Sequence, residues 1–355
     1  MSKDRISLGE NAMQFGDILI LKGEDILSLL VDREGELINI VQKAYEEHAL
    51  GSTSLPHSVF LNFQADRSDR IIALPAYLGN GFEVAGIKWV SSFPANIERG
   101  IDRASAVMIL NSTTTGAPEA VLEGSIISAK RTAASAALAA KSLIISRKAV
   151  QLGIIGCGLI NFETFRFLLT ACPEITNVFV FDIDKHRAEK FKSKCQMIQD
   201  RISIKVVEDI RTIMQESSLI SIATTATKPY IFDFSDCQPG ATVLHISLRD
   251  LAPEVILSCD NVVDDIDHVS RANTSIHLTE QLVRNLDFVN CNLADALIRK
   301  AVVRKDDQRI VVFSPFGLGI LDLAVAKLAY DLAREQGVGM LINSFLPTPW
   351  GERDI

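Results

Sequence analysis

The chain has 355 residues, 48% of them hydrophobic and 23% charged, with a formal net charge of -8. On a scale of ~150 residues per domain this suggests two domains with an ample core, and the acidic balance without a long Lys/Arg run excludes the footprint of a nucleic-acid binder. Six cysteines with no CxxC and no Cys/His pair at zinc spacing read as reduced core thiols, so no disulfide framework and no metal site is expected, and the expected compartment is the cytoplasm.

Residues 1–6 carry charge and no apolar core, so no secretory signal is expected there. The stretch from Ile18 to Gly124 reads as α+β. One amphipathic helix is expected from Asp25 to Ala49, with Ile26, Leu29, Leu30, Ile38, Val41 and Tyr45 at near-helical spacing. Short apolar runs at Ser58 to Phe63, Arg70 to Pro75, Ala85 to Ser91 and Ala106 to Asn111, bounded by turn formers, read as strands of a separate sheet. Ala117 to Ile145 then reads as one or two helices with small residues on almost every face, as in a connector packed on both sides. Its low-charge part, Thr132 to Ile145, interrupted by Lys141, is too short and too polar for a membrane span.

From Val150 onward strand and helix patterns alternate. Strands are expected at Val150 to Ile155, Asn177 to Phe181, Ile204 to Val207, Leu219 to Ala223, Thr242 to Ile246 and Asn261 to Val263, which is the signature of a doubly wound parallel sheet, a Rossmann α/β fold. After Pro315-Phe-Gly317 a last helix, Ile320 to Gln336, carries a broad apolar stripe and is expected to pack back on the front lobe. That divides the chain into a discontinuous α+β domain, 1–130 with 318–355, and a Rossmann domain, 131–317.

The chemistry starts at Gly156-Cys-Gly158. A GxG alone is a weak signal, because any strand-turn-helix can contain one. Here it follows an apolar β-type run, opens the helical pattern Phe162 to Leu169, and precedes by 26 positions an acid, Asp182, at the end of a second strand. That context points to a dinucleotide whose pyrophosphate meets the helix N-terminus. Asn161 stands at the third glycine position, where it bears on how closely the helix approaches the strand. Asp182 can accept both ribose hydroxyls and repel a 2′-phosphate, so NAD is expected as cofactor over NADP. Lys185, His186 and Arg187 either soften that preference or form a solvated first turn of helix.

Arg131 lies in the Ala-rich helix, where a buried guanidinium needs an anion: a substrate carboxylate or a core acid. Lys88 interrupts an apolar run and is either an edge-strand lysine or an inward-pointing cation. His57 and His245 have no metal spacing and are either structural or ligand-binding. Asp250 falls just past the end of an expected parallel strand, where open α/β sheets place ligands, and is otherwise a loop acid.

Together Gly86-Ile-Lys88-Trp-Val90, Phe93-Pro-Ala-Asn96, Arg131-Thr-Ala-Ala134, Gly156-Cys-Gly158, Asp250, Ser314-Pro-Phe-Gly317 and Asp322 resemble the ornithine cyclodeaminase/μ-crystallin family of NAD(P)-dependent enzymes acting on amino acids and imines. The resemblance spans nearly the whole chain. It implies that Lys88 and Arg131 bind a substrate carboxylate, with His57 also at the substrate, and that Lys88 and Asp250 are catalytic, Asp250 handling protons at the amine. It further implies that Leu159, Ile160, Thr224 and Gly317 join Gly156, Gly158 and Asp182 at the cofactor, and that the protein is a homodimer formed through the front-lobe sheets.

Two departures bear on the substrate. Ile72 stands where ornithine cyclodeaminases usually carry a glutamate, and His57 stands near their usual arginine. Removing an acid suits a substrate whose far end is a carboxylate. The segments Leu55 to Ser58, Ile71 to Tyr77 and Phe345 to Trp350 agree with the branch acting on such a polycarboxylate secondary amine, for which Arg99 and Arg249 are additional cations. The other activities open to the family are ketimine reduction, amino-acid dehydrogenation, ornithine cyclodeamination and nucleotide binding without turnover.

Overall fold

In the computed structural model, which describes residues 13–63, 69–145, 150–299 and 301–353, the chain divides into two units. The first draws on Met1–Arg33, Leu50–Ser128 and Gly319–Ile355, the second on Glu34–Ala49 and Ala129–Leu318. Residues 1–6, read above for a signal, lie outside the described residues.

The first unit is built on a mixed sheet. Its strands run in the order Met340–Ile342, Ile18–Leu21, Pro118–Glu123, Ala104–Asn111, Val84–Ser92, Arg70–Leu78 and Thr53–Ser54, with Val59–Asn62 also pairing on Arg70–Leu78. Side chains alternate between faces along a strand, and the register sorts them cleanly. Leu74, Lys88 and Met108 share one face, which the helix Gly319–Gln336 covers; Ala73, Trp89 and Val107 share the other. The covering helix approaches closely because Gly86 has no side chain: a Cβ there would meet Leu323 Cδ2 at 3.1 Å and the Ile109 carbonyl at 2.2 Å.

The second unit contains an eight-stranded sheet with strand order Ser203–Val206, Asn177–Phe181, Gln151–Ile155, Leu219–Ile222, Thr242–His245, Val311–Ser314, Asp260–Val263 and Val289–Asn292. Every neighbouring pair is parallel. The order reverses between Gln151–Ile155 and Leu219–Ile222, which is the crevice where doubly wound sheets bind ligands. The strands are almost continuously apolar and buried, as a sheet covered on both faces requires.

Several expectations need correction. The helix expected over Asp25 to Ala49 is two helices, Gly23–Leu29 and Glu34–Ala49, because Asp32 takes φ 54° and breaks the run. The second of these, which the sequence reading put in the front lobe, packs in the other unit: Leu37, Ile38, Val41 and Ala44 are buried, Tyr45 hydrogen-bonds Ser135, and Arg166 reaches Glu34 at 2.6 Å. The helix expected from Ala117 begins as the strand Pro118–Glu123. The Glu123 carboxylate then accepts the Ser125 and Ile126 amides and starts the helix Ser125–Leu143. The strands Ile18–Leu21, Val289–Asn292, Val311–Ser314 and Met340–Ile342 were not anticipated. All six cysteines are free and buried, and no helix among the described residues is long and apolar enough to cross a membrane.

Candidate active site

In the second unit, the turn after Gln151–Ile155 has the shape a pyrophosphate needs. Gly156 takes φ 91°, and a Cβ there would lie 2.4 Å from the Ala223 carbonyl oxygen, so only glycine fits. Gly158 is the N-cap of Leu159–Ala171, and a Cβ on it would meet nothing within 4 Å. Its backbone therefore borders open space at the positive end of a helix. Leu159 is exposed and Ile160 half-buried on the first turn. Asn161 is fully buried: its amide donates to the carbonyls of Ile155 and Gly156 at 2.9 and 2.7 Å, and its oxygen accepts from Ser221 at 2.7 Å. The third fingerprint position thus braces the turn with hydrogen bonds.

Asp182 ends the neighbouring strand. Its carboxylate accepts the Cys157 amide at 2.8 Å and the Asp184 amide at 2.9 Å, so it is fixed against the glycine turn. Arg187 lies 3.5 Å from it, and Lys185 pairs with Glu208 in solvent. Burial, with the Asp182 charge beside it, pushes the Cys157 thiol up to about 12, which leaves it an inert core thiol.

Asp250 sits past the end of Thr242–His245 and is completely buried. Ser247 donates to its Oδ2 at 2.5 Å, Thr224 donates to Oδ1, and His245 Nε2 lies 3.2 Å from Oδ2. The other His245 nitrogen lies 3.2 Å from Ser314 Oγ. Burial raises the Asp250 pKa, but the bonds and charge from His245 and the two hydroxyls outweigh it and hold the carboxyl below its ordinary range. Tyr230 faces the same acid; burial and the Asp250 charge push its phenol well above the ordinary value. Thr224, expected at the cofactor, thus hydrogen-bonds Asp250, and its hydroxyl also accepts the Ala226 amide at 3.1 Å. His245 belongs to the same centre.

Arg131 is 9% exposed, and its guanidinium lies on Gly317: a Cβ there would be 2.7 Å from Nη1. Gly317, at φ 96°, leaves room for that cation. Asp264 holds the loop in place, accepting the Phe316 and Gly317 amides at 2.9 and 2.6 Å. Burial raises its pKa against those bonds. Arg249 donates to the Ala272 carbonyl at 2.6 Å.

In the first unit, Lys88 is 2% exposed on a central strand, so it points inward. Its ammonium donates to Asp322 at 2.7 Å and to Ser128 at 3.1 Å, and Asp322 is itself fully buried. Ile72 lies on the same sheet face, opposite Val90. His57 is exposed between Thr53–Ser54 and Val59–Asn62, and Arg99 is exposed at the end of the turn Pro94–Arg99. Nothing in the sequence assigns a role to Asp264, Ser247, Arg70 or Arg103. Only the placement of Ser247 three residues before Asp250 was a signal available in the chain.

The model of the ornithine cyclodeaminase/mu-crystallin family matches residues 19–337. The chain is 30% identical over 338 residues to N-((2S)-2-amino-2-carboxyethyl)-L-glutamate dehydrogenase of Staphylococcus aureus, covering 93% of this chain and 99% of that one. Among solved structures it resembles the Δ1-pyrroline-2-carboxylate reductase of Thermococcus litoralis in complex with NADH and L-proline, at TM-score 0.84 and 28% identity over 91% of this chain and 99% of that one. It also resembles an archaeal alanine dehydrogenase dimer with bound NAD, at TM-score 0.83 and 28% identity over 92% and 99%.

Proposed function

The chain belongs to the ornithine cyclodeaminase/mu-crystallin family, and we propose that within it the chain is a cytoplasmic NAD-dependent dehydrogenase of N-(2-amino-2-carboxyethyl)-L-glutamate. The products are 2-oxoglutarate and 2,3-diaminopropionate, a siderophore building block, with release of NADH. The observation that carries the reading is the Asp250 centre: a buried carboxylate kept ionised at the end of a parallel strand, in the same unit as a dinucleotide turn. The similarity to the staphylococcal dehydrogenase supports the substrate, as does Ile72 in place of an acid.

In this reading Gly156, Gly158, Leu159, Ile160, Asp182, Thr224 and Gly317 hold NAD, which when bound supplies the hydride acceptor. Lys88 and Arg131 hold substrate carboxylates, with His57 at the substrate's edge. Asp250 takes the proton of the secondary ammonium, which frees the nitrogen lone pair, and His245 shares that proton through its 3.2 Å contact. Asp250 then serves the water that hydrolyses the imine. We further propose a homodimer through the open face of the first sheet; the archaeal alanine dehydrogenase it resembles is a dimer.

Purified protein mixed with NAD and synthetic aminocarboxyethyl-glutamate is expected to form NADH, read by absorbance. No NADH together with ammonia release from ornithine would move the chain to a cyclodeaminase. A second reading, imine reduction, draws on the likeness to the pyrroline-carboxylate reductase; NADH consumption with a cyclic imine and none of the forward reaction would favour it.

A further inference from the structure

Two arginines of the first unit have no part in the reaction as described. Arg70 opens the strand Arg70–Leu78 and faces Ser92; Ser92 in turn faces Ala104, the residue after Arg103. The Arg103 carbonyl also accepts the Phe93 amide at 2.8 Å. At ~4.8 Å between strands, the two backbones are about 10 Å apart at the same end of the sheet, close enough for two long side chains to meet. Both are half-buried, and Arg70 Nε is a buried donor with no hydrogen-bond partner. Among the described residues no carboxylate pairs with either guanidinium. Burial lowers the pKa of both, and the Arg70 charge lowers that of Arg103 further. Arginine cannot shed its proton to escape this cost, so the pair calls for an anion.

The register shows where that anion would lie. Arg70, Ile72 and Leu74 alternate onto the same face as Ser92, Val90 and Lys88, and Lys88 stands opposite Leu74. Arg70 is therefore four residues along the strand from the level of Lys88, about 13 Å at the ~3.3 Å rise of a strand. Between the two levels lies the apolar pair Ile72 and Val90. The face thus reads cation, apolar floor, cation, with Arg103 just outside the strand Ala104–Asn111 at the same end of the sheet, which matches a short aliphatic chain with a carboxylate at each end.

We propose that Arg70 and Arg103 bind the substrate carboxylate farthest from Lys88, and so select dicarboxylic over monocarboxylic substrates. The assignment rests on Lys88 as a carboxylate ligand in the reading above. An acid at position 72 would compete for these arginines, and isoleucine leaves them to the ligand.

The test uses NADH-saturated protein and two 2-oxo acids that differ only in a terminal carboxylate or methyl, 2-oxoglutarate and 2-oxopentanoate, with binding followed by calorimetry. The wild type is expected to prefer 2-oxoglutarate by ~30-fold or more, about the 2 kcal/mol of a charge-assisted contact. Arg70→Met and Arg103→Met should each cut the preference below about threefold, leaving 2-oxopentanoate affinity unchanged; the Lys variants, which keep the charge, should retain part of it. Melting temperatures of the Met variants should stay level or rise, because a half-buried cation with no carboxylate partner among the described residues is removed; a structural role would lower them. No wild-type preference, or a preference intact in both Met variants, overturns the site. Should a Met variant not fold, the matching Lys variant carries the comparison. Turnover of aminocarboxyethyl-glutamate is measured separately: absence of NADH with the binding preference intact removes the proposed reaction and leaves the anion site standing.

Discussion

Asp250 owes its charge to its neighbours. Alone and fully buried it would be neutral, but two hydroxyls and His245 stabilise the anion. Asp250→Asn keeps the shape and loses the charge, so kcat is expected to fall by ~10²–10⁴, while NADH binding, read by fluorescence, changes less than about threefold. A variant with near-wild-type kcat would take Asp250 out of proton transfer. Asn161 makes a contrasting case. The third position of the fingerprint was legible as a departure from glycine, but its partner Ser221 is 60 residues away and no spacing rule connects them. Asn161→Ala strands a buried hydroxyl and two carbonyls and should cost ~1–3 kcal/mol, seen as a lower denaturation midpoint; Asn161→Gly, which restores the usual motif, should lose the same bonds and not recover the stability.

At the scale of elements, periodicity located the strands that begin βαβ units, since each is an apolar run followed by helical spacing. It ran straight through the break at Asp32, because apolar residues keep helical spacing on both sides of it. Nor could it find Val311–Ser314, which enters the sheet between two strands that precede it in the chain. The helix Glu34–Ala49 is tied into its unit by His48, 3.2 Å from Asp265, whose other oxygen meets His268 Nδ1 at 2.8 Å. Burial opposes the Asp265 charge, yet the bonds from both histidines pull its pKa far down; His268 is raised by Asp265 despite its own burial. A depressed acid stabilises the fold above its unfolded value near ~4, and a raised histidine stabilises it below ~6.5 and less as pH rises through the folded value. The cluster should therefore contribute most between about pH 4 and 6.5. Asp265→Asn should lower Tm by several degrees near pH 5.5, for a loss of ~1–3 kcal/mol, and by less at pH 8.5. An equal loss at both values would mean the His268 charge plays no part.

For the whole molecule, the alternation after Val150 made the parallel sheet legible, and the late fingerprint together with a final apolar helix is what suggested a discontinuous front lobe. What the chain could not show was which face of the front sheet that helix covers. The register answers this: the even-numbered residues of Val84–Ser92, Lys88 among them, face the helix Gly319–Gln336. That leaves a second apolar face, on which Val59, Trp89 and Leu61 are 64%, 40% and 46% exposed and Ile71, Ile87, Val107 and Ile109 only half-buried. A sheet apolar on both sides needs two covers, and a contiguous patch of this kind marks an interface. A second copy of the chain supplies the same surface, and a closed twofold dimer follows if the patch meets itself. The wild type is then expected to show twice the 38.9 kDa of one chain by light scattering after gel filtration. Trp89 lies opposite Ala73 and Val107, so Trp89→Asp buries a charge near the middle of the contact and should cost ~2–4 kcal/mol of association, enough to give monomers at micromolar protein. Lys43→Asp, an exchange of charge on the helix Glu34–Ala49, is the control and should leave the mass unchanged. A wild type that runs as a monomer, or a Trp89→Asp variant that keeps the double mass, would assign this face to some other cover.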